Sequence, residues 1–496
     1  MRFMRRAHFI IYVKELLKRF IRPIKDHQVP EFGEWLRTSG YSGARKDLLR
    51  HLRATTDFVK NKRMCGVDAF IKSEGYVKPK HARAILAYPD PMKVFAGPVC
   101  RAIDEELFHS ELARFFVKGS DPRTWPDRVK RTFGTRPVYS SDFTSFEAHH
   151  RNVYALVAYL WMMHSTRDLT GKQALRELIA RTTTGRNYIK FGDLSVEIDQ
   201  TLMSGALWTS SSNGLLNFVI NSYMCALTRV GPRVSDMLDY VQHDFRALFE
   251  GDDGIVEDHQ VPAALITEMG LALKLEPHPD CSTAGFCSLY FDTDENVLVR
   301  NPIDYLRKFP SICAKYDSMS DRKRMSLYKC KALSGLDTLY ACPVIGLYLS
   351  SVEHATRSYS CDAVRHTLEQ HDRDVLARAL SRRTTYVNPS IKSRLLVERL
   401  FGVSVETQLC LEQQIRDQFG RSTIVLDLST FLTHDDRWYS ERFYTADKTT
   451  WETPPLRYPN ALIEGIKTAG RHGRPKPRPA YDRGRTRFEP LVLEGR

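Results

Sequence analysis

The 496-residue sequence predicts an α+β protein on three observations. Two short apolar runs, Ala247-Leu248-Phe249 and Ile255-Val256, flank Gly251-Asp252-Asp253-Gly254, the pattern of a β-hairpin with a tight, Gly-flanked turn. Further strand signals lie at Val138 to Ser141 and in a hairpin pattern around Gly192-Asp193 within 182–198. Residues 300–440 are by contrast helical in pattern, with Ser318, Ser320 and Asp321 marking one turn.

Taken in chain order, residues 1–25 form a basic amphipathic helix. Phe9 to Val13 and Leu16 to Ile21 alternate with Arg and Lys at helical spacing and end near Pro23. Such a helix could lie on an anionic membrane surface; the alternative is a helix packed on its own protein with its cations in water. The segment from Glu31 to Pro137 is mixed, rich in Lys and Arg, and broken by Pro and Gly. Apolar helices follow at Arg151 to His164 and Asn213 to Thr228, then a helix at Pro262 to Met269 and a strand pair near Phe286 to Phe291. The last residues, among them Arg471 to Pro479 and Arg483 to Arg487, are basic, Pro/Gly-rich and apolar-poor. They read as a disordered tail suited to non-specific RNA contact, or as a solvated linker.

Lys and Arg number 73 against 59 Asp and Glu, a net charge of +14, so a polyanion such as nucleic acid or an anionic membrane is the natural partner. The ten cysteines include no CxxC pair or zinc-type cluster and read as reduced thiols in a cytosolic setting. No run approaches the roughly 18 apolar residues of a membrane span, and no secretion signal is expected.

Two adjacent carboxylates at a hairpin tip repel each other, and hard oxygen ligands of this kind suit Mg²⁺ or Mn²⁺. Asp and Gly are also ordinary turn residues, so the company of this turn matters. Asp142 ends the Val138 strand, where it could meet the acidic hairpin on a neighbouring strand or simply cap the next helix, and Glu147 follows five residues later. In Met203-Ser204-Gly205-Ala206-Leu207-Trp208-Thr209, a Ser-Gly loop feeds a helix that carries Thr209 and Asn213 on one face, where a hydroxyl and an amide could read a sugar. Lys78, Lys80 and Arg83 lie on an extended, Pro-containing segment and could line a triphosphate path, or be a solvated charge run.

In this order the elements resemble the RNA-dependent RNA polymerases of positive-strand RNA viruses, most nearly the tombusvirus-like and nodavirus-like supergroup. Gly270 to Glu276, with Lys274, looks like the family's Lys-bearing segment, and Gly285-Phe286-Cys287-Ser288-Leu289 is similar to its following hairpin. The match covers positions 78 to about 291. Glu147 stands where most of the family has Asp, which adds a methylene to the acid that helps select ribose.

The resemblance implies a closed right hand. Its fingers would be 26–137 with an insertion at 165–203, its palm 138–164 and 204–300, and its mainly helical thumb 301–440, followed by the extension 441–496. It further implies that Asp142, Asp252 and Asp253 hold two Mg²⁺ ions, for which Mn²⁺ can substitute, and that Lys78, Lys80 and Arg83 steady the triphosphate. Lys274 would protonate pyrophosphate, while Ser204, Gly205, Thr209, Asn213 and Glu147 hold template and ribose. The partners implied are template and nascent RNA, NTPs, and other viral replication proteins, in host cytoplasm at membrane-associated sites. A reverse transcriptase shares the palm logic, and an inactive RNA-binding replication protein could keep the fold. No GxxxxGK[ST] motif is present.

Overall fold

The computed structural model describes residues 3–57, 65–72, 83–310, 312, 316, 318–421 and 424–431. Helix α1 (Phe3–Phe20) turns its apolar stripe inward, burying Phe9, Tyr12, Val13, Leu16, Leu17 and Phe20. Tyr12 donates to Ser222 Oγ at 2.8 Å, and Arg5 and Arg19 pair with Glu268 and Asp239. The apolar face that a membrane-surface reading needs is therefore inside the protein, with Ile11 the one large apolar side chain left well exposed among the helix's described side chains. No helix among the described residues is long and apolar enough to cross a membrane.

The segment 31–137 is more regular than its Pro and Gly content suggests. It forms α2 (Phe32–Thr38), α3 (Gly43–Thr55), β1 (Gly66–Ile71), β2 (Ala84–Ala87), α4 (Asp90–His109) and α5 (Trp125–Phe133). Helix α4 runs 20 residues straight through Pro98. Proline removes one backbone donor, but burial of Met92, Val94, Ala96, Cys100, Ile103 and Leu107 outweighs that loss. Gly97 is required beside it, because a β-carbon there would meet the Trp35 ring at 2.3 Å.

Strand β3 (Val138–Phe143) is followed by α6 (Ala155–Ser165), α7 (Gln173–Thr183) and a hairpin of β4 (Arg186–Phe191) and β5 (Leu194–Asp199) that turns at Gly192-Asp193. This hairpin joins a sheet of order β2-β1-β4-β5, in which β1 and β4 run parallel. Then come α8 (Thr209–Val230), α9 (Val234–His243), the hairpin β6 (Ala247–Glu250) and β7 (Asp253–Glu257), α10 (Ala263–Met269) and β8 (Leu273–His278). These strands and β3 make an antiparallel sheet of order β6-β7-β3-β8.

Both faces of that sheet are covered, which is why β6 and β7 read as continuous apolar runs. Tyr139, Ala247, Phe249 and Val256 enter a core shared with α1, α4, α6 and α8. Their neighbours Val138, Leu248 and Ile255 enter a second core on the opposite side. The second core continues into β9 (Tyr290–Asp292), β10 (Val297–Val299) and the helices α11 (Pro302–Lys308), α12 (Asp321–Leu339), α13 (Ile345–Ala355), α16 (Ile391–Phe401) and α17 (Val405–Asp417), while α14 (Asp362–Arg365) and α15 (Gln370–Arg382) pack against α12 in a smaller cluster of their own around Leu327, Cys330, Val364 and Leu376. The expected helical lobe is thus found as far as Asp417; 432–440 and the basic tail 441–496 lie outside the described residues.

The helical lobe reaches back to the N-terminal one. Arg382 pairs with Asp121 and, at 3.1 Å, with Asp337, while Arg123 lies 3.4 Å from the same Asp337. Arg373 donates to the carbonyl of Gly40.

Candidate active site

The β6–β7 hairpin has a two-residue turn, Gly251-Asp252, closed by the pair Glu250 and Asp253. Gly251 has φ +58° while Asp252 keeps a negative φ, the arrangement that places Gly first in a hairpin turn. Gly254 is equally fixed by its surroundings. A β-carbon there would meet Ser141 Oγ at 2.5 Å and the Phe249 ring at 2.9 Å, so only glycine lets β3, β6 and β7 approach this closely.

Strand register brings the distant acids together. Ser141 faces Gly254 across the β3–β7 pair, and one residue further along each strand come Asp142 and Asp253. Asp142 also lies directly opposite Lys274 on β8. Asp142, Asp252 and Asp253 are exposed at this end of a sheet whose body is buried on both sides. Enough protein surrounds Asp253 that partial desolvation raises its carboxyl above the usual range, helped by the negative charges of Asp252 and then Asp142. Hydrogen bonds from Cys287 oppose the rise. Cys287 and Ser288, with φ of 52° and 61°, form a tight turn closed by reciprocal 2.9 Å bonds between Phe286 and Leu289. The sequence-identified Phe-Cys-Ser hairpin thus borders the acidic tip.

Among the described residues, no group of three or more His, Cys, Asp or Glu is close enough to hold a metal ion. The residues nonetheless fit one in kind, since three hard oxygen donors whose charges oppose one another converge on one sheet end.

The remaining expected residues fall into three groups. Lys78 and Lys80 lie outside the described residues; Arg83 stands immediately before β2. Lys274 is spoken for by Glu276, with Nζ 2.9 Å from its carboxylate, both groups being well exposed. Glu147 lies in a short 3₁₀ turn, Phe146–His149, ahead of α6.

The Ser-Gly loop is docked on β2 rather than left free. Ser204 Oγ accepts from the N–H of Leu86 at 3.0 Å, and Gly205 N–H donates to the Leu86 carbonyl at 2.7 Å. A β-carbon on Gly205 would approach that carbonyl to 2.9 Å. Thr209 closes the loop by donating to the carbonyls of Met203 and Ala206 at 2.8 and 2.9 Å. Its hydroxyl is therefore engaged locally, whereas Asn213, one turn on, is buried against His150.

Sequence reasoning missed the residues that hold the turn. Asn217 Nδ2 donates to the carbonyl of Asp252 at 2.9 Å and of Gly251 at 3.3 Å. Asn221 donates to Asn217 Oδ1 at 2.8 Å and accepts from Tyr139 at 3.1 Å. Both asparagines are fully buried. The available signal was their four-residue spacing on an apolar helix, which puts two amides on one face. Lys118, bonded to Ser211 at 2.9 Å, also borders the turn near Glu250. Asn217→Ala is expected to leave the turn carbonyls without their donor and cost about 1–3 kcal/mol. A denaturation midpoint equal to that of the unaltered protein would remove this account.

No protein-family model matches the chain. No curated protein matches it either. Among solved structures, the chain is similar to the insertion loop deletion mutant of the RNA-dependent RNA polymerase of a human picorbirnavirus. The two share 11% identity over 76% of this chain and 78% of that one, with a TM-score of 0.53. At that identity the likeness speaks to architecture. The fold is α+β and of the polymerase right-hand type, with antiparallel sheet and a mainly helical lobe.

Proposed function

We propose that the chain is an RNA-directed RNA polymerase that copies viral RNA from NTPs, with a motif order of the tombusvirus-like and nodavirus-like kind. The observation that carries this reading is the sheet register that sets Asp142 beside Asp253, under the Asp252 turn. Asp142 and Asp252 would hold two Mg²⁺ ions, or Mn²⁺, with Asp253 supporting. Bound there, such a pair makes a primer 3′-hydroxyl more nucleophilic and stabilises charge on the α-phosphate and departing pyrophosphate.

The chain's own residues orient the reactants. Arg83, with Lys78 and Lys80, would steady the triphosphate. The docking of Ser204 and Gly205 on β2 supports the part given to Arg83, because it ties the strand that follows Arg83 to the start of α8. Lys274, opposite Asp142, would release Glu276 and give its proton to pyrophosphate. Template and nascent RNA would be gripped through their backbones, in keeping with the net charge of +14. The expected host-cytoplasmic setting belongs to the same reading. Attachment to membranes through α1 is not carried forward, given its buried apolar face.

The test is extension of a primed RNA template by purified protein with labelled NTPs or dNTPs. NTP incorporation should vanish on chelation with EDTA and return with Mg²⁺ or Mn²⁺. RNA binding without incorporation would instead indicate an inactive replication protein, and preference for dNTPs a reverse transcriptase. Arg83→Ala is expected to raise KM for NTP about tenfold or more, the worth of one charge-assisted hydrogen bond. An unchanged KM counts against its contact with the triphosphate.

A further inference from the structure

His150 is eight residues past Asp142 in sequence, yet its side chain meets α8, the helix that carries Asn213. Its Nε2 lies 3.0 Å from Asn213 Oδ1, a buried contact between residues 63 positions apart. The imidazole is 3% exposed and Asn213 7%.

The histidine is held from both sides. Its N–H donates to the Glu147 carbonyl at 3.2 Å, closing the 3₁₀ turn, and its carbonyl accepts from Thr201 N–H at 2.8 Å. The Phe146 ring stands edge-on to it, 5.5 Å between centroids. Burial pushes the imidazole down to about 4, so it is neutral at ordinary working pH and meets the amide as an uncharged donor.

Such a contact fixes which way the amide points. With Oδ1 occupied by the imidazole N–H, Asn213 presents its NH₂ onward as a donor. A hydroxyl, which both gives and accepts hydrogen bonds, can accept from that donor. A sugar lacking that hydroxyl leaves the amide unpaired, the situation in which a polar site discriminates most strongly.

We propose that His150 is the positioning residue for sugar selection, holding the Asn213 amide in the orientation that reads the ribose 2′-hydroxyl of the incoming nucleotide. This rests on the polymerase reading. It adds to that reading a residue that touches neither nucleotide nor metal and acts only through Asn213.

The experiment measures kcat/KM for ATP and dATP on one primed template. His150→Phe, which fills the space without a donor, is expected to lower the ATP-to-dATP ratio about 10- to 100-fold, mostly by loss on ATP. His150→Gln, which keeps an N–H donor, should recover much of it. Asn213→Ala should lower the ratio to the same level, and the double variant His150→Phe/Asn213→Ala no further. If His150→Phe melts in its purified form, Asn213→Asp, which replaces the onward donor with an acceptor, must give the same loss.

Equal losses on ATP and dATP with an unchanged ratio would overturn the proposal, because a merely structural histidine behaves that way. Failure of the polymerase reading looks different. There the unaltered protein incorporates nothing on template, and both readings fall together.

Discussion

Asp252→Asn is expected to reduce templated NTP incorporation by about 10³-fold or more, since it removes charge where divalent ions would sit. The side chain keeps its size. The turn beneath it is set by the positive φ of Gly251 and by Asn217, which bonds the backbone carbonyls of both turn residues. Folding should therefore survive, and the loss should be chemical. A second measurement separates these effects. Without divalent ions, Asp252, Asp253 and Asp142 repel one another, a repulsion that adds to desolvation in raising the Asp253 carboxyl. Removing one charge should leave the metal-free protein as stable as before or slightly more so. The stabilisation that Mg²⁺ gives the unaltered protein should shrink in the variant. Melting curves with and without Mg²⁺ show both effects, and full activity of Asp252→Asn would remove the metal assignment altogether.

That the acidic hairpin could be read from sequence has a physical cause. A strand buried on both faces is a continuous apolar run, and a two-residue turn needs Gly at a fixed place, so β6, β7 and their tip declare themselves within eleven residues, Ala247 to Glu257. The Gly192-Asp193 hairpin is legible from its two-residue turn alone, since β4 and β5 are largely exposed. Asp142 was legible only as a strand end; that it faces Asp253 depends on a pairing across more than a hundred residues, which no local pattern encodes. Strands β1 and β2 were missed because their burial is partial and does not alternate, and because the β1 partner, β4, lies far along the chain. Pro98 misled in the other direction, tertiary burial overriding a local helix breaker. The roles of Ser204 and Thr209 changed for a further reason. Hydroxyls in a Ser-Gly loop can turn to a ligand or to nearby backbone, and here they satisfy Leu86, Met203 and Ala206.

The largest expected effect on stability lies in the C-terminal helical lobe, between α16 and α17. Glu412 is fully buried between α16 and α17, and its carboxylate accepts from four donors. Arg394 supplies two of them at 3.0 and 2.9 Å, Arg416 one at 3.2 Å, and the backbone N–H of Val344 one at 3.0 Å. Val344 is itself strained. At φ 65° and ψ −50° a β-branched residue occupies the rare tight turn of positive φ, closed by Ile345 N–H on the Pro343 carbonyl at 2.7 Å. Glu412→Ala leaves Arg394 buried without a counter-charge and should cost about 3–5 kcal/mol, read as a lower midpoint of unfolding in urea. Replacing both partners, Arg394→Met with Glu412→Leu, removes the buried charges together, and for an ion pair alone that exchange is near neutral. Here it should still cost about 1–3 kcal/mol, because the Val344 N–H keeps no acceptor and its strained turn loses its tether. A double variant as stable as the unaltered protein would show that Glu412 serves the arginines only. One as damaged as Glu412→Ala would place most of the cost at Val344.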